Sequence, residues 1–574
     1  MTFSLSAPMK RQFRELKIIG NITIFVRSFS GVVVAFVSTG VSTACLFAQA
    51  GAVLAANYNN ARTGAYTQET TLTPANVPRL SLKAILPVDN CVYAHPLYVP
   101  HTIVNASPAP HNVVFIATTT PTIYAFDADN LNSPPLGTLS IQYGDNPGDR
   151  DVGDCSQPQW TAGPDALMGT PAIDIASHIM WFVVKRNEPA PPSGCGCIRF
   201  LLVALDYTQS FGSASIAAHQ PRQPQHRDTR DGPSFGSGSI VAALTVVSPD
   251  GAFDPTYQMQ RPGLLLDSIN SHVTLGFGSY PGIPGGAPPY KGWVFTYNTR
   301  THALQGALNL AGNTNGAAVW MSGGGIASDD QNYMYFATGD SRPSDYSAAY
   351  QNAIVQASLL GNAVPGFYQP PAAVNWSIED FDLGSSRALV LPGTPYVISG
   401  SKAGQVFVLD PTNLAAGAWA QVCNFDMAFY AGLAAWYGPS GWNIYTWCSG
   451  DYLKTFSLNN LLSPGAWTCV PYPVCPQAIG TNLAPFTGAA VALSGTGGYN
   501  SPGSNGIVWA TYPDGDVHNF TTGHLVAYDA NSLTRLYGPD SLSGLRFQKF
   551  TPPVIANGKV YVATASQAVL VYGL

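Results

Sequence analysis

Residues 396–410 read YVISGSKAGQVFVLD. Two short apolar runs, rich in β-branched and aromatic residues, flank a polar turn containing glycine, and the second run ends in aspartate. This is the pattern of a β-hairpin. The closing aspartate has a mechanism too, because its carboxylate can accept from backbone amides two residues on and so stop the strand. The unit recurs along the chain as VVFIATTTPTIYAFDAD (113–129), MWFVVKRNE with FLLVALD (180–206), VTLGFGSY with GWVFTYN (273–298) and MYFATGDSRP with AIVQASL (334–359). After the hairpin at 396–410 come NIYTWCSGDYLKTFSL (443–458), IVWATYPDGD with HLVAYD (507–529) and VYVATASQAVLVYGL (560–574). Eight such pairs beyond residue 50 allow roughly 65 residues each, which suits a four-stranded propeller blade with its loops. An all-β, eight-bladed propeller over residues 81–574 is therefore expected. Its last strands should meet one near the N-terminus, with LKAILPV (82–88) the candidate.

Composition agrees with this reading. Of 574 residues, 46% are hydrophobic and only 10% charged, with 57 Gly and 46 Pro. Such a chain has too much apolar content for disorder and too many turn formers for a helical bundle. Long connections are expected at 131–166, 207–262 and 472–505, and the basic stretch HQPRQPQHRDTR (219–230) reads as a solvated insertion.

Five of the 26 bases (Lys10, Arg11, Arg14, Lys17 and Arg27) precede or enter an apolar run at 31–50 that closes with Ala48-Gln49-Ala50. Residues 1–50 thus read as a secretory signal cut after Ala50, or as an uncleaved anchor. Residues 51–80 read as an N-terminal extended segment. A secreted, periplasmic or otherwise extracytoplasmic protein is expected, membrane-tethered if the anchor persists, with no further membrane span. Beyond residue 50, 21 bases face 31 acids, so nothing favours a phosphate backbone and nucleic-acid binding is not expected. Export permits disulfides among Cys91, Cys155, Cys195, Cys197, Cys423, Cys448, Cys469 and Cys475. CxxCH is absent, so no c-type haem is expected. Asn105, Asn375 and Asn519 head glycosylation sequons.

The blades, together with NYNNARTGAYTQETTLTPANV (57–77), VYAHPLYVP (92–100) and VWMSGGG (319–325), resemble the pyrroloquinoline-quinone (PQQ) repeat proteins of the quinoprotein alcohol dehydrogenase superfamily, in particular a secreted PQQ-like subgroup. The resemblance implies the quinoprotein-type propeller and an oxidoreductase that moves hydride from an alcohol or sugar hydroxyl to PQQ, with electrons passing to an unidentified acceptor. It implies a Ca2+ or lanthanide ion held by Glu188, Asp340 and Asp382. Asp380 or Asp382 would be the catalytic base, Lys402 the quinone contact and Trp320 the stacking surface. Four carboxylates brought together would need a cation to neutralise them. The sequence departs from the family in lacking the adjacent-cysteine disulfide that covers the quinone, and Gly323-Gly324-Gly325 crowds the Trp320 segment. The alternative expectation is a non-catalytic propeller that binds protein or glycan, its cofactor site degenerate. A carboxylate-pair hydrolase finds no motif in its support.

Overall fold

The computed structural model describes residues 15–17, 22–29, 32–39, 51–141, 167–188, 197–211, 239–279, 291–340, 350–423, 430–463, 476–499, 501–516 and 521–574. The chain divides into two units, Met1–Ala50 and Gly51–Leu574. In the first, Glu15–Lys17, Ile22–Phe29 and Val32–Thr39 pair in order as an antiparallel sheet. No described helix is long and apolar enough to cross a membrane.

The second unit is an eight-bladed β-propeller of eight sheets, each containing a four-stranded antiparallel meander, with a fifth strand added in two of them. Each sequence pair quoted above forms the middle two strands of a blade. The first and fourth strands are short or half-exposed, as in the second blade's Ala172–Asp174 and the last blade's Ser81–Pro87. Ser81–Pro87 pairs antiparallel with Ala568–Gly573, so the N-terminal part of the unit supplies the last blade's outer strand and closes the ring as expected. The aspartates behave as the pattern predicts: Asp127, Asp206, Asp410 and Asp529 accept from the amides of Asp129, Thr208, Thr412 and Asn531 at 2.8–3.0 Å.

The middle of the ring is filled by the chain itself. Residues 53–66 bond in turn to the first strand of every blade. Val53 exchanges both backbone bonds with Tyr98, and Leu54 accepts from Ile173. Asn60 donates through Nδ2 to the Leu266 carbonyl and accepts from Ser328. Ala61, Thr63 and Gly64 accept from Val390, Ala435 and Leu493, while the Tyr58 hydroxyl accepts from Ile555. A fourteen-residue stretch that reaches all eight inner strands has to run along the axis. There it pairs backbone groups that an open channel would leave to water. The local sequence permits the coiling: Asn57, Tyr58, Arg62 and Gly64 all have positive φ, 56°, 74°, 57° and 76°, a region that asparagine and glycine enter most readily.

Candidate functional site

In an antiparallel four-stranded blade, the turn between the second and third strands and the connection from the fourth strand to the next blade lie on the same face. The residues expected to act together come from such segments. Trp320 is on the connection into the fourth blade, Asp340 follows that blade's second strand, Asp380 and Asp382 are on the connection into the fifth, and Lys402 is in the fifth blade's turn between Val397–Gly400 and Gln405–Leu409.

The helix Ala373–Glu379 ends with Asp380 in the left-handed conformation, its N–H returned to the Trp376 carbonyl. Asn352 fixes the next stretch. It donates through Nδ2 to the Ala373 carbonyl and to Ser377 Oγ, and accepts from Leu383 N at 3.0 Å. The Asp382 carbonyl takes Lys402 N and Ser385 Oγ, and Met321 N donates to the Gly384 carbonyl. Asp382 is thereby buried. Its Oδ1 stands 3.2 Å from Lys402 Nζ, which also bonds Asp380 Oδ1 at 2.7 Å. Asp382 Oδ2 and Trp320 Cδ1 each lie 3.5 Å from the point where a Cβ on Gly339 would sit, which brings Trp320 and the residue preceding Asp340 into the same cluster. Burial pushes the Asp382 carboxyl above its usual range while Lys402 pulls it back. Burial lowers the Lys402 ammonium, but Asp382, Tyr430 and Asp380 together hold it above the usual amine range.

The structure thus brings Trp320, Asp382 and Lys402 close to Gly339, the residue before Asp340, with Asp380 at the rim, its side chain 78% exposed. Glu188 ends its strand opposite Cys197, and its side chain lies outside the described residues. Asp382 and Asp380 already share an ammonium, and among the described residues the compact group of three potential ligands is Cys423, Cys448 and Asp451. That group is spoken for as well, because the two cysteines form a disulfide and Asp451 pairs with Lys454. The neutralising charge that four carboxylates demand is supplied here, for two of them, by Lys402. For a flat quinone the position is mixed. The Trp320 ring is covered on one face by Gly278, whose Cβ would lie 2.8–2.9 Å from three indole carbons, and the residue is partly exposed.

The sequence reading missed the residues that close the axis beside this cluster. Phe550, at φ 74°, sets its carbonyl where Gly323 has room for no side chain, 1.5 Å from a built Cβ. These two residues sit on the connections into the eighth and fourth blades, on opposite sides of the ring. The Phe550 ring is covered by the Arg261 guanidinium at 4.5 Å, approached by Lys549 Nζ at 5.0 Å and tilted against Tyr430 at 5.4 Å. Burial, then the Arg261 charge, lowers Lys549 to about 7. Deeper on the axis, His95 Nε2 donates to the Gly323 carbonyl at 2.7 Å and Nδ1 faces Asn57 N. The signal that could have found some of these residues is scarcity: in a chain with so few bases, Arg62, Arg261 and Arg387 each interrupt an uncharged stretch.

A separate cavity of about 340 Å3 lies between the outer strands of the fourth and fifth blades, under the helix Ala373–Glu379. Tyr368, Phe407 and Trp419 wall it, with Asn375, Glu379 and Gln405 as its polar groups. Trp419 is 48% exposed, unusual for the largest apolar side chain.

No protein-family model matches the chain, and no curated protein sequence does. Among solved structures it is similar to a europium-containing methanol dehydrogenase, at 12% identity over 91% of this chain and 83% of that one, with a TM-score of 0.48. It is also similar to Saccharomyces cerevisiae Sqt1, at 10% identity over 85% of this chain and 98% of that one, with a TM-score of 0.41. Neither likeness bears on activity, and the propeller rests on the eight sheets themselves.

Proposed function

We propose that this chain is an exported ligand-binding propeller and that the cavity under the helix Ala373–Glu379 takes a neutral sugar ring of a glycan. The observation that carries this reading is the pairing of the solvent-facing Trp419 ring with Asn375, Glu379 and Gln405 around about 340 Å3. That volume is at the small end of the roughly 300–1,000 Å3 typical of ligand pockets, which are apolar with a few placed polar groups. An aromatic face accepts the apolar C–H side of a sugar, and an amide or carboxylate accepts its hydroxyls. Titrating neutral oligosaccharides while following tryptophan fluorescence should give a saturable change that Trp419→Ala abolishes without lowering Tm. A saccharide response unaltered in Trp419→Ala would place the site elsewhere.

A second reading is the quinoprotein-type dehydrogenase, and the partly exposed Trp320 backed by Gly278 beside the Asp382–Lys402 pair favours it. Here Trp320 would support a flat cofactor, Lys402 would meet its carbonyl or carboxylate edge, and Asp382, raised by burial, would take the substrate proton. PQQ would supply the hydride acceptor. On this reading, PQQ with Ca2+ or a lanthanide raises Tm and supports dye-linked alcohol oxidation, and Asp382→Asn loses the oxidation.

A further inference from the structure

Arg387, the last residue before the fifth blade's inner strand Ala388–Val390, is fully buried. Its Nη2 donates to the Leu433 carbonyl, while Nε and Nη1 have no hydrogen-bond partner among the described residues. The pocket around it is shaped to the guanidinium. A Cβ on Gly324 would lie 2.6 Å from Arg387 Cβ, and one on Gly64 would lie 2.9 Å from Nη2. Gly64 N in turn bonds the Asn57 carbonyl, which brings the hub segment into the same neighbourhood. Asn57 is itself 1% exposed, and both atoms of its side-chain amide are without partners.

Arg62 shows what a satisfied buried arginine looks like in this hub. Its Nε, Nη1 and Nη2 donate to the carbonyls of Ile326, Ala56 and Leu264 at 2.9, 2.7 and 2.7 Å. It also has the exposed Asp330 within electrostatic reach. For Arg387 the charged neighbour that bears on it among the described residues is Arg62, of the same sign, and no described acid does so. His95 brings no negative charge either. A guanidinium does not shed its proton, so a buried one with two idle nitrogens calls for a counter-ion.

We propose that the propeller hub is a binding site for a small monovalent anion of the halide class, held by the idle Arg387 nitrogens with the Asn57 amide as a further donor. Gly64 and Gly324 stand so close to Arg387 that neither could carry a side chain without a shift, and this crowding is why the proposal names a small ion and not an organic acid. This inference is independent of the glycan pocket and of the quinone reading.

Two measurements test it on the full chain. Thermal unfolding in sodium gluconate, with sodium bromide replacing gluconate at constant ionic strength, should show a saturable rise in Tm. A bromide-soaked crystal should show an anomalous peak within about 3.5 Å of Arg387 Nε or Nη1. Asn57→Asp, whose positive φ aspartate tolerates, brings its own negative charge and should raise Tm in gluconate while removing the bromide dependence. Absence of a bromide effect overturns the proposal, as does a stabilising effect whose anomalous peak lies away from Arg387. A bromide dependence undiminished in Asn57→Asp would remove Asn57 from the site.

Discussion

Lys402 serves two carboxylates, and they differ in what they contribute. The contact with Asp380 is solvent-exposed and adds little to stability. The contact with Asp382 is buried, so removing the ammonium leaves an uncompensated charge in the interior. Lys402→Met should therefore destabilise the chain by about 3 kcal/mol or more, and Asp382→Asn in the same molecule should restore most of the loss. Equilibrium denaturation of the two variants measures this, and a single substitution that costs nothing would show that Asp382 is already protonated. His95 makes a second prediction. Burial lowers its pKa to about 3 in the folded state, whereas an unfolded histidine titrates near 6.5. The unfolded chain then binds the extra proton, so the contribution is fully present above pH ~6.5 and is lost as pH falls, by about 1.4 kcal/mol per unit, towards the folded value. Stability measured between pH 6.5 and 5 should fall less steeply in His95→Gln, which can still donate to the Gly323 carbonyl. At this scale the sequence was legible in part. Asp382 pairs with Lys402, and Trp320 and Asp382 both approach Gly339, the neighbour of Asp340, because turn and connection residues of neighbouring blades share a face. That Lys402 would pair with both Asp380 and Asp382 depends on a distance, which residue types do not contain.

Among elements, the middle strands were the readable ones. They are buried between neighbouring blades and so are apolar almost throughout, as in Val397–Gly400 and Gln405–Leu409. Inner strands such as Ala388–Val390 are too short for any periodicity, and outer strands such as Ser81–Pro87 alternate with exposed residues. The helix Ala373–Glu379, which roofs the aromatic cavity, gave no signal because seven residues make two turns at most. Neighbouring blades are also joined covalently. Cys423 follows the outer strand of the fifth blade and Cys448 the second strand of the sixth, and their disulfide is wholly buried in the apolar layer between the two. Cys91 is disulfide-bonded too. Replacing both Cys423 and Cys448 by alanine should cost about 2–4 kcal/mol. Comparing the unfolding midpoints of the variant and of the unreduced parent checks this. If the midpoints coincide, the staple adds nothing to a junction already sealed by packing.

At the scale of the molecule, ring number and closure followed from counting eight hairpins and finding a strand candidate at 82–88. What fills the ring did not. Residues 51–80, which include NYNNARTG, read only as an N-terminal extended segment. Its role depends on eight inner strands, from Tyr98 to Ile555, each presenting a backbone group to the axis. Residues 53–66 occupy the hub of the second unit's ring and Phe550 abuts Gly323 there, so the proposed function sets the binding site off the axis, in the cavity under the helix Ala373–Glu379. The claim is tested most directly by titration calorimetry on the full chain with PQQ, in the presence of Ca2+ and then of a lanthanide, set beside the neutral oligosaccharides. The account predicts no heat of PQQ binding under either metal and a saturable saccharide isotherm that Trp419→Ala removes. Stoichiometric, metal-dependent PQQ binding with no saccharide isotherm would contradict it.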